Sequence, residues 1–465
     1  MSATPKRRDA EGIPADLFPS ACPDDDLATP NRLDPYWDRL WAPGSQALWS
    51  TGAMTRQRAS TGGRVNRRHL MSEDEALRLL SANRGRADRL AFWSAVDSWR
   101  TISAEQAAAI TGSPLLLDPN YSSIAASFAM DVIDIGLFAN LNRASPGLNR
   151  STLFRPSNTE VFDKKITPTL TWPEWISVCG GYPWSGGGQY DRHNLLATEL
   201  GLRAAEYLPV GAVMGEKFST VDLLAGTGLG KSVKNPDNRR ADGTIIRTDG
   251  MRIAFEITAT ASKSLESKVR RWAQIITERP LETSGLAIVF IAAPHPDRPR
   301  SSSSDPRHEI YRRVAAVLRE FPGRGKDSPA ARIGIAAWEE WFPARHELSE
   351  NFFELRADFA LGDAPGPGRW EARSLMSMDF EAYSSFDAAA VIDGAKILGA
   401  TPHWMRAGDH THLLGAPVDR ARETIPVPAP AQPEKIKGRA LGEAVGRGGP
   451  AGLPPRLKVT GPAAA

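Results

Sequence analysis

The sequence predicts a mixed α/β fold, on the basis of two patterns. From Arg86 onward, apolar residues recur at the spacing of an amphipathic helix. Further along, short β-branched runs alternate with helical patterns, and Leu286 to Ala292 reads as a fully buried strand. The chain has 465 residues, of which 41% are hydrophobic and 13 are tryptophan, which is enough for two or three domains with real cores.

Charge and cysteine content narrow the class of protein. The formal net charge of +3 is close to neutral for this length, so binding to nucleic acid would need a local basic face. Cys22 and Cys179 are far apart, which predicts a reducing compartment with no disulfide framework and no cysteine zinc site. We see no apolar signal region and no apolar run of about 20 residues. The expectation is a cytoplasmic protein with no membrane partner.

Residues 1–70 carry acidic clusters and scattered arginines without sustained periodicity, which predicts a disordered N-terminal segment. Within it, four apolar residues form a candidate docking segment: Tyr36, Trp37, Leu40 and Trp41. The basic run from Arg64 to His69 is either a solvated linker or a contact for an acidic partner, and a linker is the commoner fate of such a run.

Residues 86–156 have the pattern of a winged helix-turn-helix. After a first helix, Ser103 and Gln106 form a capping box, and Gly112 is a natural helix stop. A third helix is expected from Ser122 to about Leu141, and a β-wing from Gly147 to Pro156.

DNA contact by this domain is one of two alternatives. The third helix contains Asp131 and Asp134 and has no Lys or Arg, which is unfavourable beside a phosphate-lined groove. Three arginines near the wing are the candidate DNA-binding residues: Arg143, Arg150 and Arg155. A domain that contacts protein, or that is purely structural, fits the pattern equally well.

A Pro-, Trp- and Gly-rich linker is expected at 157–190, before a second domain at 191–345. This domain is expected to run helix, three strands, helix, strand, helix, strand. The predicted elements are a helix from His193 to Leu208, a strand at 213–224, a hairpin at 241–258, a helix from Ser262 to Thr277, the strand Leu286 to Ala292, a helix from Asp305 to about Phe321 and a strand from Arg332 to Trp338. Residues 346–420 form a C-terminal extension of unassigned role, and 421–465 a disordered tail.

The hairpin is the most informative stretch of the chain. Asp249-Gly250 between two β-branched runs is a strong turn signal. With a two-residue loop, Asp242 would lie opposite Ile257. With Thr248 in a three-residue loop closed by a Gly bulge, Asp242 lies directly opposite Glu256. The bulged register is the one we expect.

Two acids on adjacent strands are how many nucleases hold Mg²⁺, so Asp242 and Glu256 are the candidate catalytic and metal-binding residues. Such sites usually have a lysine two residues after the glutamate, but here the residue is Thr258. The next helix offers Lys263, Lys268 and Arg271, of which we select Lys268 as the catalytic cation. A Glu from the first helix often adds a third ligand. Glu199 is our candidate and Glu206 the alternative on the same face, although both would more commonly be solvent-facing.

Two rival signals carry less weight. Ala225 to Ser232 satisfies a relaxed phosphate-loop pattern, but Pro236 and Asn238 prevent the helix that such a loop needs. His410 and His412 are isolated, with nothing nearby to complete a metal site. We expect a Gly-rich turn and surface residues, respectively.

Three stretches resemble the replication-relaxation family: His193-Asn-Leu-Leu-Ala-Thr-Glu-Leu, Arg240-Ala-Asp-Gly, and Ala254-Phe-Glu-Ile-Thr followed by a lysine-bearing helix. That family occurs on plasmids, phages and integrative elements and pairs a winged helix with a restriction-endonuclease-like core. The resemblance covers roughly residues 86–340. It implies a DNA-binding protein acting in replication or processing of mobile-element DNA, with DNA and the element's replication proteins as partners.

Within that resemblance, Asp242 and Glu256 fall on the family's acidic positions, and His193 and Glu199 on its first-helix motif. The family more often reads Glu-x-Asp-Arg-Gly where this chain has Glu-Ile-Thr-Ala-Thr. Two functions therefore stay open: a nuclease with Mg²⁺ as its cofactor, or a catalytically inactive DNA-binding or adaptor protein that uses the same core as a scaffold.

Overall fold

The structure, a computed structural model, describes most of the chain between residues 25 and 406. The described ranges are 25–38, 45–140, 151–186, 190–221, 240–259, 263–294, 306–323, 325, 327–360, 370–377, 380 and 388–406. Several predictions fall outside these residues: the phosphate-loop pattern Ala225 to Ser232, the arginines Arg143 and Arg150, the pair His410 and His412, and the tail 421–465.

A four-stranded antiparallel sheet organises the first half of the chain. Its strand order is β1-β3-β4-β2. The strands are β1 (Ser45–Ser50), β2 (Ile102–Ser103), β3 (Ile133–Asn140) and β4 (Thr152–Pro156). The helices described in this half of the chain before β3 are α1 (Gly52–Ser60), α2 (Glu73–Ser81), α3 (Arg86–Trp99), α4 (Ala104–Thr111) and α5 (Ser122–Ala129). The predicted capping box of Ser103 and Gln106 is present, and Gly112 ends α4 with φ +75°.

The expected third helix is wrong in its second half. Helix α5 ends at Ala129, because Asp131 takes a left-handed conformation with φ +57° that a helix cannot continue through. Residues 133–140 then form strand β3, whose apolar residues Ile133, Ile135 and Leu137 alternate as a strand requires. Asp134 therefore lies on a strand of the sheet.

The disorder expected over residues 1–70 is also wrong where the structure describes that segment. Strand β1 pairs with β3 along its whole length, and α1 follows it directly. Tyr36 is buried, and its hydroxyl donates to the Pro294 carbonyl at 2.6 Å. Trp37 Nε1 donates to the Phe342 carbonyl at 3.0 Å. The candidate docking segment does dock, through contacts about 260–300 residues away in sequence, although Leu40 and Trp41 lie outside the described residues.

The stretch expected as a linker, 157–190, contains a capped helix. Helix α6 (Trp172–Cys179) begins with a capping box of Thr171 and Glu174 and ends at Gly180. It packs on α3. Phe162 and Trp184 stack with ring centroids 4.1 Å apart, and both belong to the main hydrophobic core. The aromatics thus build a core, which a free linker would not.

A seven-stranded mixed sheet organises the second half, in the order β11-β10-β9-β8-β7-β6-β5. Strands β7, β8 and β9 are mutually parallel, and the outer pairs on both sides are antiparallel. The strands are β5 (Val210–Gly215), β6 (Gly243–Arg247), β7 (Arg252–Thr258), β8 (Leu286–Ala292), β9 (Ile333–Ala337), β10 (Arg356–Ala360) and β11 (Trp370–Ser374). Strand β8 has the bounds that the sequence predicts.

Long helices flank this sheet, and short ones connect its strands. They are α7 (Asp191–Tyr207), α8 (Lys263–Glu278), α9 (Pro306–Leu318), α10 (Pro329–Arg332), α11 (Trp338–Trp341), α12 (Glu350–Phe353) and α13 (Ala388–Lys396). Strands β10 and β11 extend the sheet beyond 345, and α13 packs against β5. The predicted boundary at 345 is therefore wrong, because the C-terminal extension completes the same sheet. In the described part of the chain, we find no helix that is both long and apolar enough to span a membrane.

Candidate functional site

The hairpin β6–β7 adopts the bulged register that the sequence predicts. Gly243 pairs with Phe255, so Asp242 lies opposite Glu256. The Arg247 N–H donates to the Met251 carbonyl, which leaves a three-residue loop. Gly250 in that loop has φ +82°, a conformation that favours glycine. The two acids are therefore cross-strand neighbours.

Asp242 and Glu256 repel each other in a desolvated position. Glu256 is fully buried, while Asp242 is partly exposed. Asp242 Oδ2 accepts a hydrogen bond of 2.6 Å from the Ile257 N–H. Burial of the carboxyl and the charge of Glu256 raise the pKa of Asp242 to about 7, although Lys268 acts in the opposite direction. A cation bound between two such carboxylates would reduce their electrostatic repulsion.

Helix α8 supplies that region with one cation and one neutral donor. Lys268 Nζ lies 2.9 Å from Glu256 Oε2, and Trp272 Nε1 donates to Glu256 Oε1 at 2.8 Å. The two residues are one helical turn apart and so share a face of α8. Of the basic candidates on this helix, Lys263 is exposed at its first position. The side chain of Lys268 thus lies where a cation from α8 was expected.

Helix α7 contributes a neutral imidazole to the same region. His193 is hydrogen-bonded to the backbone of Ile257. Burial, with Lys268 and Arg192 adding to it, lowers the pKa of His193 to about 4, so the ring is uncharged at neutral pH. The charge of Glu216, just after β5, contributes to the raised pKa of Asp242.

Glu199 is not available as the third metal ligand. Its Oε1 accepts from Arg32 at 3.1 Å and from Arg203 at 3.2 Å, and its Oε2 accepts from Gln106 at 3.3 Å. Glu206, the alternative, is paired with Arg32. Both acids belong to a buried ion-pair cluster, because α7 turns this face toward residues 29–34. Within the described ranges, we find no group of three His, Cys, Asp or Glu side chains arranged to hold a metal ion.

The cross-strand pair offers a divalent cation two carboxylates, one of them partly exposed. Mg²⁺ is commonly bound through one or two carboxylates, with water and substrate phosphate completing its shell. Asp242 and Glu256 are such a pair on neighbouring strands. Both oxygens of Glu256 already accept hydrogen bonds, from Lys268 and Trp272, so a bound cation would have to share Glu256 with these donors or displace one of them. Thr258, 7% exposed, offers only a hydroxyl where a lysine is usual.

Of the three candidate DNA-binding arginines, the structure describes Arg155. Its Nε lies 3.0 Å from Asp134 Oδ2, and its guanidinium lies 4.1 Å from the centre of the Trp49 ring. Arg155 is therefore engaged within the small sheet.

Comparisons of this chain with protein-family models, with curated proteins and with solved structures found no match.

Sequence reasoning missed two residues of the site. Trp272 could have been found, because it follows Lys268 by four positions and so shares its helical face. Glu216 carried no local signal, because its approach to Asp242 depends on how β5 pairs with β6. His193 entered only through the family resemblance.

The repulsion between the two acids makes a prediction about stability. In metal-free protein, Asp242→Asn should raise the free energy of unfolding by about 2 kcal/mol at pH 8, because raising the pKa of an acid by one unit costs ~1.4 kcal/mol and partial exposure moderates the cost. An acid whose pKa is raised by folding destabilises the protein as pH rises. The destabilisation develops between the pKa of the acid in the unfolded chain, near 4, and its pKa in the folded protein, about 7. The stability advantage of Asp242→Asn over wild type should therefore grow as pH rises from about 4 to about 7 and stay constant above pH 7. Urea unfolding in EDTA at several pH values measures this, and a pH-independent difference would contradict it.

Proposed function

We propose that this chain is a DNA-binding protein acting in replication or processing of mobile-element DNA, and that its larger sheet carries a Mg²⁺-dependent DNA nuclease site. The observation that carries the nuclease proposal is the cross-strand pair of Asp242 and Glu256, with Lys268 bonded to Glu256. The mobile-element assignment rests on the resemblance to the replication-relaxation family alone.

The order of elements around the acids supports a restriction-endonuclease-like core. Helix α7 is followed by the antiparallel strands β5, β6 and β7, then by α8 and by β8, which is parallel to β7. This is the helix, three strands, helix, strand order of that core. The acids lie at β6 and β7, the strands on which such enzymes hold their metal.

The first half of the chain supports a winged-helix assignment in the same way. Its order α3, β2, α4, α5, β3, β4 matches three helices with an intervening strand and a final two-stranded wing. Strand β4 lies between β2 and β3. Strand β1 is an addition on the outer edge of that sheet.

In this proposal Asp242 and Glu256 are the residues that would hold Mg²⁺. The bound metal would polarise the scissile phosphodiester and lower the pKa of a water molecule. Lys268 orients the Glu256 carboxylate and keeps a positive charge beside the reacting phosphate, the role that Thr258 cannot fill. Trp272 fixes the second oxygen of Glu256. His193, neutral at pH 7, positions the Ile257 backbone that also donates to Asp242.

Lys268→Met tests the proposal with a matched control. Removing one preorganised cation should lower the rate of Mg²⁺-dependent cleavage of supercoiled and single-stranded DNA by about 100-fold. The control is Lys263→Met, an exposed lysine on the same helix, which should cleave at the wild-type rate. Equal rates for all three proteins would contradict the role of Lys268.

Thr258→Lys in the Lys268→Met background is the complementary test, because it returns a lysine to the strand position usual for this kind of site. Partial recovery of cleavage supports the proposal. If the wild-type protein binds DNA and does not cleave it with Mg²⁺ or Mn²⁺, the second function applies: a catalytically inactive DNA-binding or adaptor protein. The observation that favours this alternative is Thr258 itself.

A further inference from the structure

The stretch from Thr51 to Ser72, here called the arginine segment, concentrates positive charge in a short part of the chain. It contains five arginines and no Asp or Glu. All five side chains are exposed: Arg56, Arg58, Arg64, Arg67 and Arg68. In a chain whose overall charge is nearly balanced, this is a local concentration of exposed positive charge, which nucleic-acid binding requires.

The arginine segment lies over both ends of helix α5. Arg68 Nη1 donates to the Asn120 carbonyl at 2.8 Å, just before α5 begins. At the other end, Arg56 Nη1 donates to the Ala129 carbonyl at 3.3 Å. Between them, the rings of His69 and Phe128 lie 4.8 Å apart. The segment therefore spans the length of α5.

Helix α5 cannot itself present a binding face. Six of its eight residues, from Ser123 to Phe128, are buried, and it contains no Lys or Arg. Ser122 at its start is exposed. The exposed side chains next to this helix include those of the arginine segment.

Two of the acids near α5 are paired with arginines, and one of these arginines belongs to the arginine segment, so that the pairing partly offsets the charge of the segment. Asp118, just before α5, is exposed. Asp131 forms an ion pair of 2.6 Å with Arg56, and Asp134, 5% exposed, pairs with Arg155. The arginine segment ends at Ser72, and it is followed at once by three acids, Glu73, Asp74 and Glu75. Glu73 is itself paired with Lys165.

We propose that the arginine segment is the surface of this protein that contacts the phosphate backbone of duplex DNA, an inference that rests on the proposed DNA-binding function. Guanidinium groups bind phosphate oxygens in a bidentate manner that lysine does not match. Helix α5 is about 12 Å long at 1.5 Å per residue. A duplex carries one charge per ~1.7 Å of its axis with both strands counted, so a length equal to that of α5 holds about seven phosphates on the two strands together.

The test compares two triple variants of the full chain in a fluorescence anisotropy assay with a labelled duplex of about 20 base pairs, in EDTA so that no cleavage occurs. The test variant is Arg58→Gln, Arg64→Gln, Arg67→Gln, chosen because Arg56 and Arg68 also hold α5. The control variant is Arg312→Gln, Arg319→Gln, Arg373→Gln, which removes the same charge from α9, its C-terminal end and β11.

The test variant should bind duplex DNA at least about tenfold more weakly than wild type, while the control stays within about twofold. The slope of log K against log salt should become shallower by about 0.9 for each phosphate that the variant no longer neutralises, up to ~3 in total. Equal weakening in both variants, or none in the test variant, overturns the inference and leaves the nuclease site untouched.

Failure of the proposed function gives a different result. If wild type does not bind duplex DNA at ~50 mM salt, both the DNA-binding function and this surface fail together. Wild type that binds anionic lipid vesicles in preference to duplex DNA also overturns the inference. Equal melting temperatures of the three proteins establish that the test variant is folded.

Discussion

Replacing Glu256 with glutamine should reduce Mg²⁺-dependent DNA cleavage by about 10³- to 10⁴-fold, a loss typical of a removed catalytic group. Glutamine keeps the volume of the side chain and can still accept the hydrogen bond from Trp272 Nε1. What it removes is the buried negative charge opposite Asp242. In the proposed site the metal would then have one carboxylate in place of two, and Lys268 would lose its ion pair with Glu256.

A metal-binding measurement tests whether the lost activity reflects a lost metal ligand. Wild type should bind Mn²⁺ in isothermal titration, and Glu256→Gln should bind it at least about tenfold more weakly. The matched control is Glu278→Gln, an exposed carboxylate on α8 that should change neither cleavage nor binding. If Glu256→Gln cleaves DNA at the wild-type rate while folded, Glu256 is not a metal ligand and the proposed site is wrong.

The parts of this site that the sequence predicts share one property: they are local. The register of β6 and β7 follows from a loop of three residues and from the need to bury Phe255 and Ile257. The position of Lys268 follows from the amphipathic pattern of α8, whose apolar face includes Leu265 and Val269. Strand β8 is recognisable because a strand covered on both faces is continuously apolar.

The parts that the sequence does not predict depend on partners distant in the chain. Glu199 reads as a helix carboxylate free to bind metal until Arg32, 167 residues away, is placed beside it. Residues 356–374 give weak signals because β11 is an edge strand with little buried surface. The end of α5 at Ala129 depends on one residue, Asp131, with positive φ. Contacts between residues distant in sequence leave no pattern that a short stretch of sequence could reveal.

Arg203→Met should lower the free energy of unfolding by about 3–5 kcal/mol, the cost of removing one partner from a buried ion pair. Arg203 is fully buried and lies 2.8 Å from Asp34 and 3.2 Å from Glu199. Methionine preserves the packing against Phe342, over whose ring the guanidinium lies at 4.5 Å. The loss is therefore one of charge, which leaves Asp34 buried without its partner.

The pH dependence distinguishes charge from packing in this variant. Burial would raise the pKa of Asp34, but Arg203 more than offsets this and the pKa is lowered. The pKa of Glu199 is lowered in the same way by Arg32 and Arg203. An acid whose pKa is lowered by folding stabilises the protein at pH values above its pKa in the unfolded chain, near 4. This stabilisation is lost as pH falls below that value. The gap between wild type and Arg203→Met should thus narrow toward pH 3.

The control for this prediction is a surface ion pair on the same N-terminal segment. Arg345 lies 2.6 Å from Asp38 with a side chain 53% exposed, so Arg345→Met should cost less than ~1 kcal/mol. Asp34→Asn in the Arg203→Met background should restore part of the lost stability, because it removes the uncompensated charge. If Arg203→Met and Arg345→Met cost the same, the buried cluster does not hold residues 29–34 on α7. In that case apolar packing alone would hold helix α7 in place. Helix α7 also positions His193 beside Ile257.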